Sequence, residues 1–254
     1  MMTTCAAVLA DVHGNQAALA AVLRAVDAGG YGPLYCLGDI VGYGPDPGWC
    51  VRELRRRNCA SVLGNHDVVA CGLRPADDFS PPAQKAIAWT RTVMTAEEQA
   101  LLAALPTRRE VPTPTGNALL VHGNLVDDYV TYLTTPAAAA QSLALLTAGR
   151  YAFFGHTHRP LIWQPAADGT PGDAAASEVP VDDWYVIPDR PVLLNPGSVG
   201  QPRDHDPRAA FVVWDIANRR CRWERVPYDI AATQGQMAAA GLPAFLSERL
   251  AQGR

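Results

Sequence analysis

Metal ligation is the chemistry that the polar residues of this sequence suggest first. Short clusters of aspartate, asparagine and histidine each follow an apolar run, and five of the six histidines belong to these clusters. The clustered residues are Asp11, His13, Asp39, Asn65, His66, His122, His156 and His158. A single histidine of this kind is most often an ordinary core or surface residue. Five that follow apolar runs in the same way favour a common site.

The stretch Gly64-Asn65-His66-Asp67 combines three kinds of polar chemistry. A glycine, an amide, an imidazole and a carboxylate in a row lower helix and strand propensity alike, so the stretch needs another reason to be there. Asn65 can offer a carbonyl oxygen to a metal ion, and His66 can carry a proton near neutral pH. Asp67 is available to orient His66. We therefore take His66 and Asp67 as candidate catalytic residues.

Short apolar runs predict the strands that position these clusters. They lie at 5–10, 34–37, 60–63, 118–121, 151–154 and 192–194. Helical patterns follow the first two runs, and this alternation predicts a parallel βαβ core. Ligands of open α/β sheets bind outside the carboxyl ends of the strands. We therefore expect the polar clusters to meet on one rim, although they span about 150 positions of sequence.

The remaining stretches predict further elements within a single domain over residues 1–254. Residues 81–105 and 136–148 have helical patterns, and 209–216 with 220–226 predict an antiparallel strand pair. Residues 161–163 and 184–187 predict a hairpin, and the Ala-, Gly- and Pro-rich stretch 164–183 between them predicts a flexible surface loop. Residues 229–254 predict a C-terminal helical segment with a break at 241–243.

Composition excludes several classes of function. The net charge of −4 gives no global positive field, which argues against a long nucleic-acid footprint. The six cysteines include no C-x-x-C pair, so a thiolate zinc site or redox pair is not expected. No apolar run approaches the ~20 residues of a membrane span. The N-terminus lacks a basic region and reaches Asp11 too soon for a signal peptide, so we expect a cytoplasmic protein.

The number and type of candidate ligands favour two metal ions. Seven candidates are too many for one catalytic ion with an open position, but they suit two ions ~3.5–4 Å apart that share a carboxylate. Asp39, a lone carboxylate in its own loop, is the natural bridge. Mixed carboxylate, imidazole and amide ligands suit Mn, Fe, Zn, Ni or Co better than Mg or Ca. The positive charge of two divalent ions exceeds the negative charge of Asp11 and Asp39, so the site is net positive and attracts phosphate.

The clusters, taken in order, resemble the signature of the calcineurin-like metallophosphoesterases. The matching blocks are Asp11-x-His13, Gly38-Asp39, Gly64-Asn65-His66-Asp67, His122-Gly123 and Gly155-His156-Thr157-His158. The stretch Leu193-Leu194-Asn195-Pro196-Gly197-Ser198-Val199-Gly200 resembles the small bacterial branch of that superfamily, and the resemblance covers residues 5–226. It implies an α/β fold of four layers, in which a two-sheet β-sandwich is flanked by helices.

The resemblance also assigns roles to the site residues. It implies that one metal is held by Asp11, His13, Asp39 and His158. It implies that the other is held by Asp39, Asn65, His122 and His156. His66 would stabilise the phosphoryl group and protonate the leaving oxygen, with Asp67 orienting it. The nucleophile would be a hydroxide on the metals that attacks in line with the leaving group.

We therefore expect a dimetal phosphoesterase that cleaves small phosphomonoesters or phosphodiesters, with nucleotides among the candidate substrates. Manganese is the first choice of metal, and Fe, Ni, Zn and Co are alternatives. Arg203 is a candidate phosphate contact or a loop salt-bridge residue, and Tyr43 lines the pocket or packs over its own loop. The alternative function is a non-catalytic scaffold that binds a protein partner. Relatives of that kind lose the catalytic histidine or metal ligands, whereas this sequence has them all.

Overall fold

The computed structural model describes residues 5–114, 116–147, 149–166, 172–180 and 182–254. Its strands are β1 Cys5–Leu9, β2 Leu34–Cys36, β3 Ala60–Ser61, β4 Arg108–Thr113, β5 Gly116–Val121, β6 Tyr151–Phe153, β7 Pro160–Pro165, β8 Ala174–Ser177, β9 Tyr185–Val186, β10 Val192–Pro196, β11 Ala209–Asp215 and β12 Arg220–Val226. Its helices are α1 Gln16–Gly29, α2 Pro47–Arg56, α3 Asn65–Ala70, α4 Pro81–Val93, α5 Ala96–Ala103, α6 Pro136–Leu143, α7 Ile230–Ala239 and α8 Ala244–Glu248, followed by the 3-10 helix Arg249–Gln252.

The described strands form two six-stranded sheets that pack face to face. The first sheet has the order β3-β2-β1-β11-β12-β9, and the second has the order β4-β5-β6-β10-β7-β8. Val8 and Trp214 of the first sheet share a buried cluster with Phe153 and Leu194 of the second. Helix α1 covers the outer face of the first sheet, and α6 covers that of the second. The expected four-layer α/β sandwich is therefore confirmed.

The apolar sequence of strand β1 agrees with its position in a sheet that is covered on both faces. Its residues from Ala6 to Leu9 are all fully buried, because both faces of the sheet are covered. Successive side chains point to opposite faces, so Ala7 and Leu9 pack with the helices while Ala6 and Val8 pack between the sheets. An unbroken apolar run with β-branched and small residues is what a strand in this position requires.

The sheets are mixed, so the predicted parallel core is only part of each. Strand β1 pairs in parallel with β2 and β2 with β3, but β1 pairs antiparallel with β11. In the second sheet β5, β6 and β10 are parallel, while β4, β7 and β8 are antiparallel to their neighbours. The parallel strands are those whose ends carry the polar clusters, so the prediction of one rim does not depend on the rest.

The predicted hairpin between 161–163 and 184–187 is wrong. Strand β7 pairs with β10 and β8, and β9 pairs with β12 in the other sheet. The predicted flexible loop at 164–183 falls partly on residues 167–171 and 181, which lie outside the described residues. Its described part is not irregular, because it contains β8, which pairs with β7 from Ile162 to Pro165. The alanines of β8 have low strand propensity, so the sequence does not predict this strand.

An antiparallel strand pair and helices make up the C-terminal part of the described chain. The antiparallel pair over 209–226 is formed by β11 and β12. Helices α7 and α8 follow on either side of the predicted break, and Met237 and Leu246 pack with Ala86 of α4 in a small cluster. Within the described residues, no helix has the length and apolar character that crossing a membrane requires.

Candidate metal centre

The predicted ligands lie on tight loops with left-handed backbone at the ends of strands. Five of them have positive φ angles, which side chains other than glycine rarely adopt: Asp11 (53°), His13 (51°), Asp39 (50°), His156 (67°) and His158 (59°). Asparagine, aspartate and histidine tolerate this region better than most residues. Left-handed residues turn the chain sharply at the rim of the sandwich. The loops thereby aim side chains from both sheets at a common point.

Four of these residues form a first group of ligand atoms. One side-chain atom each of Asp11, His13, Asp39 and His158 lies within 4.8 Å of the others, and all four residues are buried. His158 Nε2 lies 3.5 Å from Asp11 Oδ1, and His13 Nε2 lies 3.6 Å from Asp39 Oδ2. Two carboxylates and two imidazoles at this spacing match the donor set that the family resemblance implies for one ion.

The tautomers of His13 and His158 indicate that a cation belongs between them. His13 Nδ1 lies 3.2 Å from the carbonyl oxygen of Val41, and His158 Nδ1 lies 2.7 Å from that of Gln201. A carbonyl oxygen only accepts, so each Nδ1 carries the hydrogen and each Nε2 of a neutral ring presents a lone pair. The two Nε2 atoms are 3.1 Å apart. Two lone pairs facing each other are repulsive unless a cation binds both.

A second group of ligand atoms lies beside the first. Ligand atoms of Asp39, His122 and His156 lie within 4.8 Å of one another and are buried. His122 Nδ1 donates to the carbonyl oxygen of Leu37 at 2.8 Å, so Nε2 is the ring nitrogen that faces the other ligand atoms. That Nε2 lies 3.1 Å from Asn65 Oδ1 and 3.0 Å from His156 Nδ1. The second group therefore offers carboxylate and imidazole donors like those of the first, together with an amide oxygen.

Asp39 is the residue that both groups share among the described residues. Its Oδ2 lies 3.6 Å from His13 Nε2 and 3.3 Å from His122 Nε2. Its Oδ1 accepts the main-chain N–H of His66 at 2.9 Å, which fixes the plane of the carboxylate. The geometry matches a carboxylate that bridges two ions.

The protonation states also suit metal binding. Burial lowers the pKa of His13, His156 and His158 well below the ordinary histidine value, so these rings are neutral. Burial opposes ionisation of Asp39, but the surrounding histidines, His122 first, together outweigh it and hold the pKa of that carboxyl well below its usual range. Burial likewise disfavours the charged form of His122, but Asp39, with smaller help from Asp11 and the carbonyl of Leu37, outweighs it and raises the pKa of His122 to about 9. Neutral imidazoles and an ionised carboxylate are the forms that bind metal, and a bound cation would replace the proton on His122.

His66 lies beside this centre as the sequence predicts, but its contact with Asp67 is different. The two residues are neighbours in the first turn of α3, and consecutive helical side chains point in different directions. Asp67 instead accepts the main-chain N–H groups of Gly64 at 3.0 Å and Val41 at 3.1 Å. The expected direct orientation of His66 by Asp67 is therefore corrected: Asp67 holds together the two loops that flank His66.

The His66 ring is buried against other rings. Its centroid lies 4.9 Å from that of His13, 4.4 Å from that of Tyr43 and 4.5 Å from that of Phe79. Its Nδ1 is buried without a hydrogen-bond partner among the described residues. Burial lowers the pKa of His66 to about 4, so the ring is neutral in the chain without substrate.

The two candidate substrate contacts lie at the edge of the centre. The guanidinium carbon of Arg203 is 5.8 Å from the centroid of the Tyr43 ring, and Arg203 Nη2 donates to Gln201 Oε1 at 2.8 Å. The Tyr43 ring also lies 4.5 Å from the ring of His13. Both residues therefore contact the site, and their roles toward a substrate stay predictions.

Sequence reasoning missed three residues that contact the site. Phe79 packs on His66, and the Tyr132 ring stacks on His156 with centroids 3.5 Å apart. Buried Asn195 donates to the carbonyl oxygen of Gly155 at 2.8 Å and thus supports the loop that carries His156. The family-like stretch 193–200 contains Asn195 and could have indicated its place at the site. Phe79 and Tyr132 lie outside any motif in the sequence, so nothing comparable indicates that they contact the site.

The fold and the paired ligand groups define a metallophosphoesterase. The chain belongs to the calcineurin-like phosphoesterase superfamily, whose domain model matches residues 5–219. It is 34% identical to an uncharacterized protein of Methanocaldococcus jannaschii over 254 residues, which is 100% of each chain. It is 37% identical to a metallophosphoesterase from Sphaerobacter thermophilus of known structure, with a TM-score of 0.84 over 98% of this chain and 99% of that one.

A more distant structure supports the fold alone. A hypothetical protein from Pyrococcus horikoshii OT3 is 19% identical and covers 98% of both chains with a TM-score of 0.73. The two-sheet arrangement therefore persists at low sequence identity.

Proposed function

We propose that the protein is a dimetal phosphoesterase that hydrolyses small phosphomonoesters or phosphodiesters. One observation supports this above all: two buried groups of ligand atoms share Asp39 and lie beside His66, whose ring is not in either group. Metal ligands alone would suit a structural site. A buried histidine whose Nδ1 has no hydrogen-bond partner among the described residues, and is thus available to a bound molecule, is the additional feature that catalysis needs.

The ligand groups fit two divalent cations, manganese first, with iron, nickel, zinc and cobalt as alternatives. The first group would hold one ion through Asp11, His13, Asp39 and His158. The second would hold the other through Asp39, Asn65, His122 and His156. Such ions, when bound, lower the pKa of water and neutralise charge on phosphoryl oxygens.

The other roles fall to side chains around the ligands. His66 would hydrogen-bond the phosphoryl group and protonate the leaving oxygen, because the negative charge of that group favours the protonated ring. Arg203 offers a guanidinium that matches phosphate geometry, and Tyr43 would confine the substrate beside it. Asp67 would keep the loops around His66 in register through its bonds to Gly64 and Val41.

Burial of the ligands and the net charge of −4 favour small phosphoesters, nucleotides included, over long nucleic acids. We place the protein in the cytoplasm, a proposal supported by the six cysteines, which are all free thiols. The alternative of a non-catalytic scaffold has no comparable support, because the ligand groups and His66 are complete.

The test is hydrolysis by protein reconstituted with manganese. The panel is p-nitrophenyl phosphate, bis(p-nitrophenyl) phosphate and common nucleotides. We expect His66→Ala to lower kcat by about 10²–10⁴-fold, the usual contribution of a general acid, while metal content stays at two ions. His205→Ala is the matched control, because His205 is exposed on a loop, and it should behave like the wild type. No turnover of any compound with Mn, Fe, Ni, Zn or Co would refute the proposal.

A further inference from the structure

Aromatic rings surround the candidate metal centre. Tyr43 and Phe79 pack on the ring of His66, at centroid distances of 4.4 Å and 4.5 Å. Tyr132 stacks on His156, with centroids 3.5 Å apart and ring planes 18° from parallel. A centre that bound only a phosphoryl group would need charge and hydrogen bonds around it. Aromatic surfaces at its edge point to a second recognition element.

Tyr132 differs from the other two rings in exposure. Tyr43 is enclosed by His13, His66 and the Arg203 guanidinium. Tyr132 is 45% exposed although one face of its ring is covered by His156. With one face against His156, the exposed part of Tyr132 includes the opposite, open face of the ring and its edges.

The loop that carries Tyr132 is held in place on both sides. Asp127 accepts the main-chain N–H and the hydroxyl of Thr131 at 3.0 Å and 2.6 Å. The indole N–H of Trp163 donates to the carbonyl oxygen of Leu133 at 3.2 Å. The two residues that flank Tyr132 are thus anchored. The ring is presented in a fixed orientation, which favours recognition because little conformational entropy is lost on binding.

The acidic residues of this loop serve the loop itself. Asp127 caps the turn before Tyr132, and Asp128 forms an ion pair with Arg108 at 2.6 Å. Neighbouring Val130 is 41% exposed and extends the apolar surface next to the open ring. An aromatic and aliphatic surface of this kind matches an apolar group of a ligand better than a sugar or a second charge.

We propose that the open face of Tyr132 stacks on a planar aromatic ring in the organic part of the substrate, a nucleobase or an aryl group. The inference rests on the proposed function, because it assumes that the metal centre holds the phosphoryl group. Stacking on an aromatic side chain is tolerant of ring identity, so Tyr132 selects for a planar ring and not for one base. The protein is then a phosphoesterase of ring-bearing phosphoesters.

Adenosine 5′-monophosphate and ribose 5-phosphate form a matched pair of probes, because both carry a 5′-phosphoester and only one carries a base. Dissociation constants are measured by calorimetry with manganese-loaded His66→Ala protein, so that turnover does not interfere. We expect the nucleotide to bind about tenfold more tightly, an effect typical of one stacked base. In Tyr132→Leu the two constants should become equal, and in Tyr132→Phe the tenfold ratio should remain.

Tyr129→Leu is the control, because Tyr129 lies in the same loop three residues earlier. It should keep the ratio. Equal constants in the parent protein, binding of neither compound, or an unchanged ratio in Tyr132→Leu would overturn the inference. So would loss of metal together with equal weakening of both ligands, since Tyr132 would then only shield His156. Failure of the proposed function is distinguishable, because it appears as absence of turnover by the wild type.

Discussion

The two ligand groups of the metal centre are supported to different extents. In the first, His13 and His158 each donate Nδ1–H to a main-chain carbonyl oxygen. In the second, His122 has such a bond, whereas His156 has only a weaker main-chain contact with Val130, and its ring lies beneath the half-exposed ring of Tyr132. Main-chain bonds fix the orientation of a ligating ring, and losing such support typically costs 10–100-fold in metal affinity.

The surroundings of the two ligand groups also differ, with more support around the first group than around the second. A small pocket of about 10 Å³ behind His13 is lined by Asn15, which precedes α1, by Thr233 and Met237 of α7, and by Leu250. The C-terminal helices therefore back the first group. The second group lies next to the exposed loop with Val130 and Tyr132. This difference favours the hypothesis that the first ligand group retains its ion more tightly and that the second lies closer to a bound ligand.

The largest effect is expected from the residue that the two halves share. Asp39→Ala removes a ligand from both groups, so both ions should bind at least about 100-fold more weakly, the upper end of what even outer contacts contribute. Metal content after dialysis and hydrolysis of the best panel substrate are the measurements. Asp27→Ala, at an exposed carboxylate, is the control. Retention of one ion at wild-type affinity would show that Asp39 does not bridge.

The second-largest expected effect is a difference in metal affinity between the two ligand groups. A chelator titration of the manganese-loaded wild type should release the ions in two steps, with affinities about 10–100-fold apart because of the unequal support of their ligands. His156→Ala should lack the looser ion and keep the tighter one. His158→Ala should lose the tighter ion. Release in a single step, or the reverse assignment, would contradict the comparison.

The smallest expected effect concerns the packing of α7 behind the first ligand group. The single hydroxyl hydrogen of Thr233 has two acceptors within reach, Asn15 Oδ1 at 3.3 Å and the carbonyl oxygen of Asp229 at 3.2 Å, and Asn15 also caps α1. Thr233→Val should lower the free energy of unfolding by about 1 kcal/mol, the usual contribution of one buried hydrogen bond. Urea unfolding measures it, with Thr233→Ser as the control that keeps the hydroxyl. Equal stability of the two variants would mean that α7 backs the site through apolar packing alone.

The sequence predicts the rim of polar clusters because each follows a strand that is buried on both faces. An apolar run such as that of β1 has few structural alternatives, and the side chain after it must leave the core. The mixed directions of β4, β7 and β11 do not affect this logic. The pairing of ligands into two groups came from the family resemblance, which carries information on three-dimensional arrangement that spacing lacks.

Other features of the structure could not be predicted from the sequence, for physical reasons. Strand β4 begins with three consecutive charged residues before Val111 and lies at the edge of its sheet, so it lacks a clear apolar run. Adjacency in sequence suggested that Asp67 orients His66, but the pair begins a helix, where neighbours diverge. The stacking of Tyr132 on His156 depends on a loop anchored by Trp163, a contact that joins residues 30 positions apart.

The left-handed backbone of the ligand loops sets stability against function. A non-glycine residue in that region costs on the order of 1–3 kcal/mol, and five ligands adopt it. Glycine at any of these positions would relieve the backbone and delete a metal ligand in the same step. Selection for thermal stability alone would therefore erode the centre residue by residue. Aspartate and histidine at these positions therefore fit a site that keeps its chemistry at the expense of stability.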